Sequence, residues 1–126
     1  MNYIISKHTR KVYNYHPQNK DELKKLVNKL IKERGNKADL NDIDTSPITN
    51  MSLLFSFSDF NGNISNWDVS NVKDMSYMFA HSKFDGDISS WDISNVINMS
   101  GIFVDSKLQN NQPTWYKQLN YLFQFK

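Results

Sequence analysis

The residue types that most often carry catalytic or metal-binding chemistry are few in this sequence. Its three histidines, His8, His16 and His81, are scattered and show neither a His-x-x-x-His motif nor a nearby carboxylate at ligand spacing. Cysteine is absent, which excludes disulfides, thiolate nucleophiles and cysteine-ligated zinc. No glycine-rich phosphate-binding loop is present. We therefore expect these histidines to be ordinary surface or half-buried residues.

Serines and one acidic stretch are the remaining candidates for chemistry. Asp85-Gly86-Asp87 faintly resembles a calcium loop, but it lacks the full alternating set of oxygen ligands and the downstream bidentate glutamate. Ser70 and Ser94 occupy one position of a repeated pattern, whereas a catalytic nucleophile is needed only once. The sequence therefore predicts a non-enzymatic protein without a metal or cofactor.

Charge is unevenly distributed along the chain, although the net charge is only +2. Residues 1–40 carry ten lysines and arginines against four acidic residues, a net charge of +6. Residues 41–114 carry three lysines against nine aspartates, a net charge of −6. No apolar run has the length of a signal peptide or of a membrane span. We expect a cytoplasmic protein without membrane insertion, or a surface protein if the natural chain is longer.

The strongest pattern in the sequence is a repeat of 24 residues. The stretch NISNWDVSNVKDMSYMF, residues 63–79, returns as DISSWDISNVINMSGIF at residues 87–103. Because so short a unit cannot bury its own apolar side, successive copies are expected to stack and to cover one another. Large apolar residues recur at this offset in three main columns: Trp67, Trp91 and Trp115; Met51, Met75 and Met99; Phe55, Phe79 and Phe103.

The apolar spacing within one repeat begins with strand-like alternation and then changes to helix-like spacing. We therefore predict an α/β repeat fold, a short right-handed leucine-rich-repeat-like solenoid of about three coils, each with a short strand and a short helical turn. Asn61-Gly62 and Asp85-Gly86 are expected to form corner turns in which glycine adopts a positive φ.

Flanking segments are predicted to cap the two ends of this array. From Lys20 to Arg34 the apolar residues follow the spacing of a one-faced amphipathic helix, with Asn19 as N-cap and Gly35 as the stop. Residues 3–15 favour a short strand or hairpin, and residues 119–125 alternate like a strand, although a helix is also possible there. The prediction is a single domain, 1–126, with an N-terminal strand and capping helix at 1–38, the repeats at 39–114 and a C-terminal aromatic cap at 115–126.

The repeats also carry a family resemblance. The stretches FNGNISNWDVSNVKDMSYMF and FDGDISSWDISNVINMSGIF resemble the repeats, roughly 25 residues long, of the BspA-like class of leucine-rich-repeat proteins in surface lipoproteins of Mycoplasma and related groups. The stretch DELKKLVNKLIKERGNKADLNDIDTSPITNMSLLF resembles the segment that commonly precedes such repeats, so the resemblance covers roughly residues 20–110. It implies a right-handed solenoid used for adhesion or protein binding, with no catalytic residues.

A row of polar residues is the first candidate binding surface. If residues 64–70 form a strand with Trp67 and Val69 inward, polar side chains of successive coils point outward in register. Neighbouring strands lie about 4.8 Å apart, so a column of unpaired carboxylates repels itself. The column then serves either a basic protein partner or local hydrogen bonds to the following turn. The predicted partner-binding residues are Asp44, Asn66, Asp68, Ser90 and Asp92.

A second candidate surface is the polar side of the predicted helix. Five lysines lie on that side and could contact the phosphates of a nucleic acid. Such a run is more often a solvated face, and lysine in place of arginine weakens nucleic-acid recognition. The lysines are Lys20, Lys24, Lys25, Lys29 and Lys32.

Three functional hypotheses follow from these surfaces. The leading one is a small monomeric protein-binding module, for instance an intracellular inhibitor or adaptor, with a partner whose surface is basic. The first alternative is a fragment or relative of a bacterial surface adhesion protein. The second alternative is a nucleic-acid binder that uses the basic helix.

Overall fold

The computed structural model describes residues 12–124 and the side chains of residues 12–119. Its helices are α1, Lys20–Arg34, a short 3₁₀ helix, Lys107–Asn110, and α2, Thr114–Gln124. Between α1 and the 3₁₀ helix the chain is a succession of tight turns. Its only β pairings within residues 12–124 are four isolated parallel bridges, and no strand is formed there. The predicted α/β leucine-rich-repeat-like solenoid with a strand in each coil is therefore wrong.

Local hydrogen bonds explain why residues 64–70 do not form the predicted strand. The Trp67 N–H donates to the Ile64 carbonyl (3.2 Å), and the Val72 N–H donates to the Val69 carbonyl (3.0 Å). Aspartate and asparagine side chains add further turns, as where the Ser70 N–H donates to Asp68 Oδ1 (3.0 Å). Because these local bonds compete with a strand ladder, a sequence this rich in Asn, Asp and Ser bends every few residues.

Successive repeats nevertheless lie side by side, in a stack of three: residues 39–62, 63–86 and 87–110. They are joined through the segments 51–57, 75–81 and 99–105, which we call the ladder segments. Every second N–H of the first two ladder segments donates to a carbonyl of the next repeat, while the N–H groups between them close local turns, such as Leu54 N–H to the Met51 carbonyl (3.3 Å). From the first repeat to the second, the donors Met51, Leu53, Phe55 and Phe57 pair with the carbonyls of Asp74, Ser76, Met78 and Ala80 at 2.8–3.0 Å.

The repeated apolar columns form the core, as predicted. The ring of Phe79 stacks between Phe55 and Phe103, with centroid distances of 5.7 and 6.0 Å. The tryptophans add one hydrogen bond per repeat, because each indole N–H donates to a carbonyl 27 residues earlier in the chain. The pairs are Trp67 with Leu40 (2.9 Å), Trp91 with Ile64 (3.2 Å) and Trp115 with Ile88 (2.9 Å).

Helix α1 has the bounds that its capping residues predict. The Asn19 side chain accepts a hydrogen bond from the Glu22 N–H (2.9 Å), and the helix ends at Gly35, where φ is +92°. Leu23, Val27 and Leu30 are buried in the same core as the repeats. The predicted amphipathic helix over Lys20–Arg34 is confirmed.

The structure tests the C-terminal prediction, whereas most of the N-terminal segment is outside the described residues. Residues 119–124 belong to helix α2, so the strand expected there is wrong and the helical alternative is correct. Trp115 and Tyr116 of α2 pack against Phe103, at centroid distances of 6.2 and 5.0 Å. Most of the N-terminal strand or hairpin, predicted for residues 3–15, lies outside the described residues, and Tyr15 makes a single bridge with Ile43. The division into 1–38, 39–114 and 115–126 stays a prediction.

The corner glycines serve close packing, and the positive φ expected of them is not found. A Cβ at Gly62 would lie 1.9 Å from the carbonyl oxygen of Ala38, and one at Gly86 would lie 2.7 Å from the ring of Phe84. Glycine is needed at both corners because the chain passes directly against backbone or ring atoms there.

Candidate functional site

The predicted aspartate column is present but is engaged in local turns. Asp44, Asp68 and Asp92 occupy equivalent positions in successive repeats, and the Oδ1 of each accepts the N–H of the serine two residues later, at 3.0 Å. Hydrogen bonds from Ser94 hold the pKa of Asp92 below its usual value. Of the two explanations for the column, hydrogen bonding to the following turn is the one that the geometry displays.

The other members of that predicted site connect neighbouring repeats. The backbone N–H of Asn66 donates to Asn41 Oδ1 (2.9 Å), and the Ser90 hydroxyl donates to the Ser65 carbonyl (3.3 Å). Asp44 is half-buried and lies 3.5 Å from His16 Nδ1, whereas Asp68 and Asp92 are exposed. A role of these residues in binding a partner stays a prediction.

The basic patch on α1 is divided by the packing of the helix. Lys20 Nζ donates to Ser52 Oγ (2.9 Å), and Lys24 Nζ donates to the Leu54 carbonyl (2.6 Å), so both lysines point at the first repeat. Burial, together with the positive charge of Lys20, lowers the pKa of Lys24. Lys29 forms an ion pair with Glu33 at 3.5 Å. Lys25 and Lys32 are exposed, which leaves a smaller cationic surface than the sequence indicates.

The structure reveals a surface that sequence reasoning missed. Within residues 12–124, five non-glycine residues have φ between +50° and +62°, the left-handed region that L-residues rarely adopt. They belong to two columns of the ladder segments, and glycine fills only one of the six positions. The first column is Leu53, Tyr77 and Gly101, and the second is Phe57, His81 and Asp105.

Four of these residues are exposed on the first two ladder segments, and we call this set the exposed ridge: Leu53, Phe57, Tyr77 and His81. In the first two ladder segments the exposed residues are spaced by four, and the residues between them are buried or partly buried. Leu53, Phe57 and Tyr77 are 52%, 75% and 47% exposed, respectively. The Phe57 ring stacks on the His81 imidazole with a centroid distance of 4.4 Å, and His81 Nδ1 lies 2.8 Å from Asp105 Oδ2. The ridge thus crosses the repeats and ends at a carboxylate.

The described side chains offer little for metal or redox chemistry. Among residues 12–124, no group of three or more histidines, cysteines, aspartates and glutamates is placed to hold a metal ion. The calcium-like stretch Asp85-Gly86-Asp87 lines an open cleft of about 350 Å³. Asp87 Oδ1 there accepts both the N–H and the hydroxyl of Ser89, at 2.9 and 2.6 Å. No helix in the described part of the chain is long and apolar enough to cross a membrane.

Comparison with known proteins identifies a family to which the chain is similar. The sequence profile of a family described as Mycoplasma protein of unknown function, DUF285, matches residues 21–123. No curated protein and no solved structure matches the chain. The match supports the resemblance to Mycoplasma proteins, and the description of the family names no activity.

Proposed function

We propose that this chain, which belongs to the DUF285 family of Mycoplasma proteins, is a non-enzymatic protein-binding module that contacts its partner through the exposed ridge. The observation that carries the proposal is the choice of residues at positive φ. A non-glycine residue there costs about 1–2 kcal/mol relative to the right-handed conformation. Glycine or asparagine would cost less, yet Leu53, Phe57 and Tyr77 occupy these positions and are 47–75% exposed.

The backbone beneath the ridge favours binding because it is held from the neighbouring repeat. The Tyr77 N–H donates to the Ser100 carbonyl (2.9 Å), and the Phe57 N–H donates to the Ala80 carbonyl (2.9 Å). A partner that docks on the ridge would therefore order few backbone dihedrals, and less conformational entropy would be lost on binding. Aromatic side chains on a rigid support are typical of residues that dominate binding energy at protein interfaces.

The charge around the ridge indicates the chemistry of the partner. The ridge lies within residues 41–114, whose net charge is −6, and Asp105 at its end has a side chain that is 78% exposed. We therefore propose a protein partner with an apolar patch flanked by lysine or arginine, since complementary charge speeds association and disfavours wrong partners. Asp68 and Asp92 would contribute to the same acidic field without touching the partner.

A second part of the proposal concerns the origin of the repeats. We propose that the repeats are related to those of BspA-like surface proteins, which the sequence resemblance over roughly residues 20–110 supports. The repeats at residues 39–110 form no strand, which tells against a leucine-rich-repeat geometry there. An adhesion role would place the ridge at the cell surface, whereas an adaptor or inhibitor role would place it in the cytoplasm.

A two-step binding experiment tests the proposal. Proteins captured by the immobilised chain are identified by mass spectrometry, and the dissociation constant of the purified partner is then measured. We expect Phe57→Ser/Tyr77→Ser to weaken binding about tenfold or more, as loss of interface hot-spot residues does. Val12→Ser is the matched control, because Val12 is an apolar residue that is 90% exposed outside the ridge. Far-UV circular dichroism checks that each variant is folded.

Two outcomes would contradict the ridge as the binding surface. If Asp68→Lys/Asp92→Lys abolishes binding while the ridge variant binds normally, the aspartate column is the contact surface. If the captured material is nucleic acid and Lys25→Glu/Lys32→Glu releases it, the protein is a nucleic-acid binder.

A further inference from the structure

The stack of repeats has a direction that its hydrogen bonds define. In both steps of the stack, ladder N–H groups point toward the next repeat and ladder carbonyls accept from the previous one. Phe55 N–H thus donates to the Met78 carbonyl, and Phe79 N–H to the Ile102 carbonyl, at 2.9 and 3.0 Å. The two ends of the stack therefore differ, because the first repeat ends in acceptors and the third in donors.

The acceptor end of the stack is covered by α1. The Leu54 carbonyl is equivalent to the carbonyls of Met78 and Ile102, and it accepts a hydrogen bond from Lys24 Nζ (2.6 Å) in place of a preceding repeat. Lys20 Nζ reaches Ser52 Oγ in the same ladder segment (2.9 Å). Lys24 thus supplies one of the donors that a preceding repeat would have supplied.

Among the described residues, the backbone donors at the other end of the stack are paired at one position only. The Asp105 N–H donates to the Gln109 side chain, Oε1, at 3.0 Å. The equivalent N–H groups of Met99, Gly101 and Phe103 have no acceptor among the described residues, although their counterparts in both earlier repeats are paired. These three donors lie two residues apart along the third ladder segment. We call them the donor edge.

An apolar groove lies beside the donor edge. The column residues that are fully buried in earlier repeats, Met75 and Val72, correspond to Met99 and Val96, which are only partly buried. Ile97 is 85% exposed. Together with Tyr116 and Leu119 of α2, these residues line a cavity of about 340 Å³. Helix α2 therefore forms one wall of the groove and leaves the rest open.

We propose that the donor edge binds a peptide segment from another polypeptide that adopts the ladder conformation, with carbonyls at every second residue and apolar side chains for the groove. The two repeat-to-repeat steps within this chain show what fits such an edge, and the donor edge continues that interface. Backbone pairing at an open edge is an established mode of peptide recognition, with pockets for alternate side chains providing specificity. This inference uses a different surface from the exposed ridge and does not depend on it.

The caps on the stack also indicate which occupant the edge excludes. A folded second copy of the chain would have to present its acceptor end, but Lys24 and α1 already cover that end. The occupant is therefore an uncapped segment with the sequence pattern of a ladder segment. The synthetic peptide KDMSYMFAHS, which reproduces residues 73–82, is the probe with the required carbonyls and side chains.

The test is a titration of the full isotope-labelled chain with this peptide, followed by amide NMR. We expect the largest shifts and the greatest slowing of hydrogen exchange at the amides of Met99, Gly101 and Phe103. Ile97→Asp places a charge in the groove at an exposed position and should weaken binding at least tenfold. Phe57→Ser, a ridge variant, should leave the affinity for the peptide unchanged, which separates this inference from the proposed function.

Three results would overturn the inference. The first is the absence of shifts at the three amides at millimolar peptide, and the second is equal binding of a peptide with the same residues in scrambled order. The third is concentration-dependent dimerisation of the chain, measured by light scattering, that involves the same amides, since the occupant would then be a second copy.

Discussion

Among the single residues, Asp42 is the carboxylate most firmly held by its neighbours. Arg34 donates to both of its oxygens, each at 3.0 Å, and Asn14 Nδ2 donates to Oδ2 at 2.8 Å. Hydrogen bonds from Arg34 lower the pKa of Asp42 from 3.8 to about 2 against the opposing effect of burial. A carboxyl group with a lowered pKa in the folded state stabilises the fold above its unfolded pKa, and this stabilisation is lost as the pH falls through the folded value.

Asp42→Asn should therefore reduce the acid sensitivity of the protein. The wild type is expected to lose about 2 kcal/mol of unfolding free energy between pH 4 and pH 2 through this group, and the variant should lack that loss. Urea denaturation at several pH values measures it. Asp59→Asn is the matched control, because Asp59 forms an exposed ion pair with Lys83 that is expected to contribute about 0–1 kcal/mol. Equal pH profiles for the wild type and Asp42→Asn would contradict the assignment.

Among the elements, α1 does more than cover apolar surface. Its lysine at position 24 satisfies the Leu54 carbonyl, a partly buried acceptor that the first repeat cannot pair by itself. A buried acceptor without a partner costs about 1–3 kcal/mol because it is desolvated without compensation. The helix thus fits the stack through backbone hydrogen bonding as well as through Leu23, Val27 and Leu30.

Lys24→Met tests this role of α1. The variant keeps the apolar stem and removes the donor, so we expect the unfolding free energy to fall by about 1–3 kcal/mol in urea denaturation. Lys25→Met, one residue further along the exposed side, should change it by less than about 0.5 kcal/mol. Equal effects of the two substitutions would mean that the Lys24 hydrogen bond does not stabilise the stack.

For the whole molecule, stability depends on contacts that pass from one repeat to the next. Phe79 stacks on Phe55 and Phe103, and its ring centroid also lies 5.0 Å from that of Phe84. Since each repeat buries its apolar side only against its neighbours, a defect in the middle repeat affects both of its contacts.

Phe79→Ala should lower the unfolding free energy by about 3–5 kcal/mol, because it opens a cavity shared by the three repeats. Thermal unfolding followed by circular dichroism measures the loss. Phe57→Ala removes the same side chain from a site that is 75% exposed and should cost much less. Similar midpoints for the wild type and Phe79→Ala would refute the shared core.

The sequence by itself determined the repeat, the core and one helix. The columns of Trp67, Met75 and Phe79 are visible because burial recurs with the 24-residue period, and α1 is visible because its apolar spacing and its caps are local signals. The tertiary structure decided the course of the backbone within each repeat. Hydrogen bonds between residues 23 positions apart hold Leu53 and Phe57 at positive φ, against the preference of each residue alone. The exposed ridge and the donor edge follow from those contacts, which no local pattern in the sequence encodes.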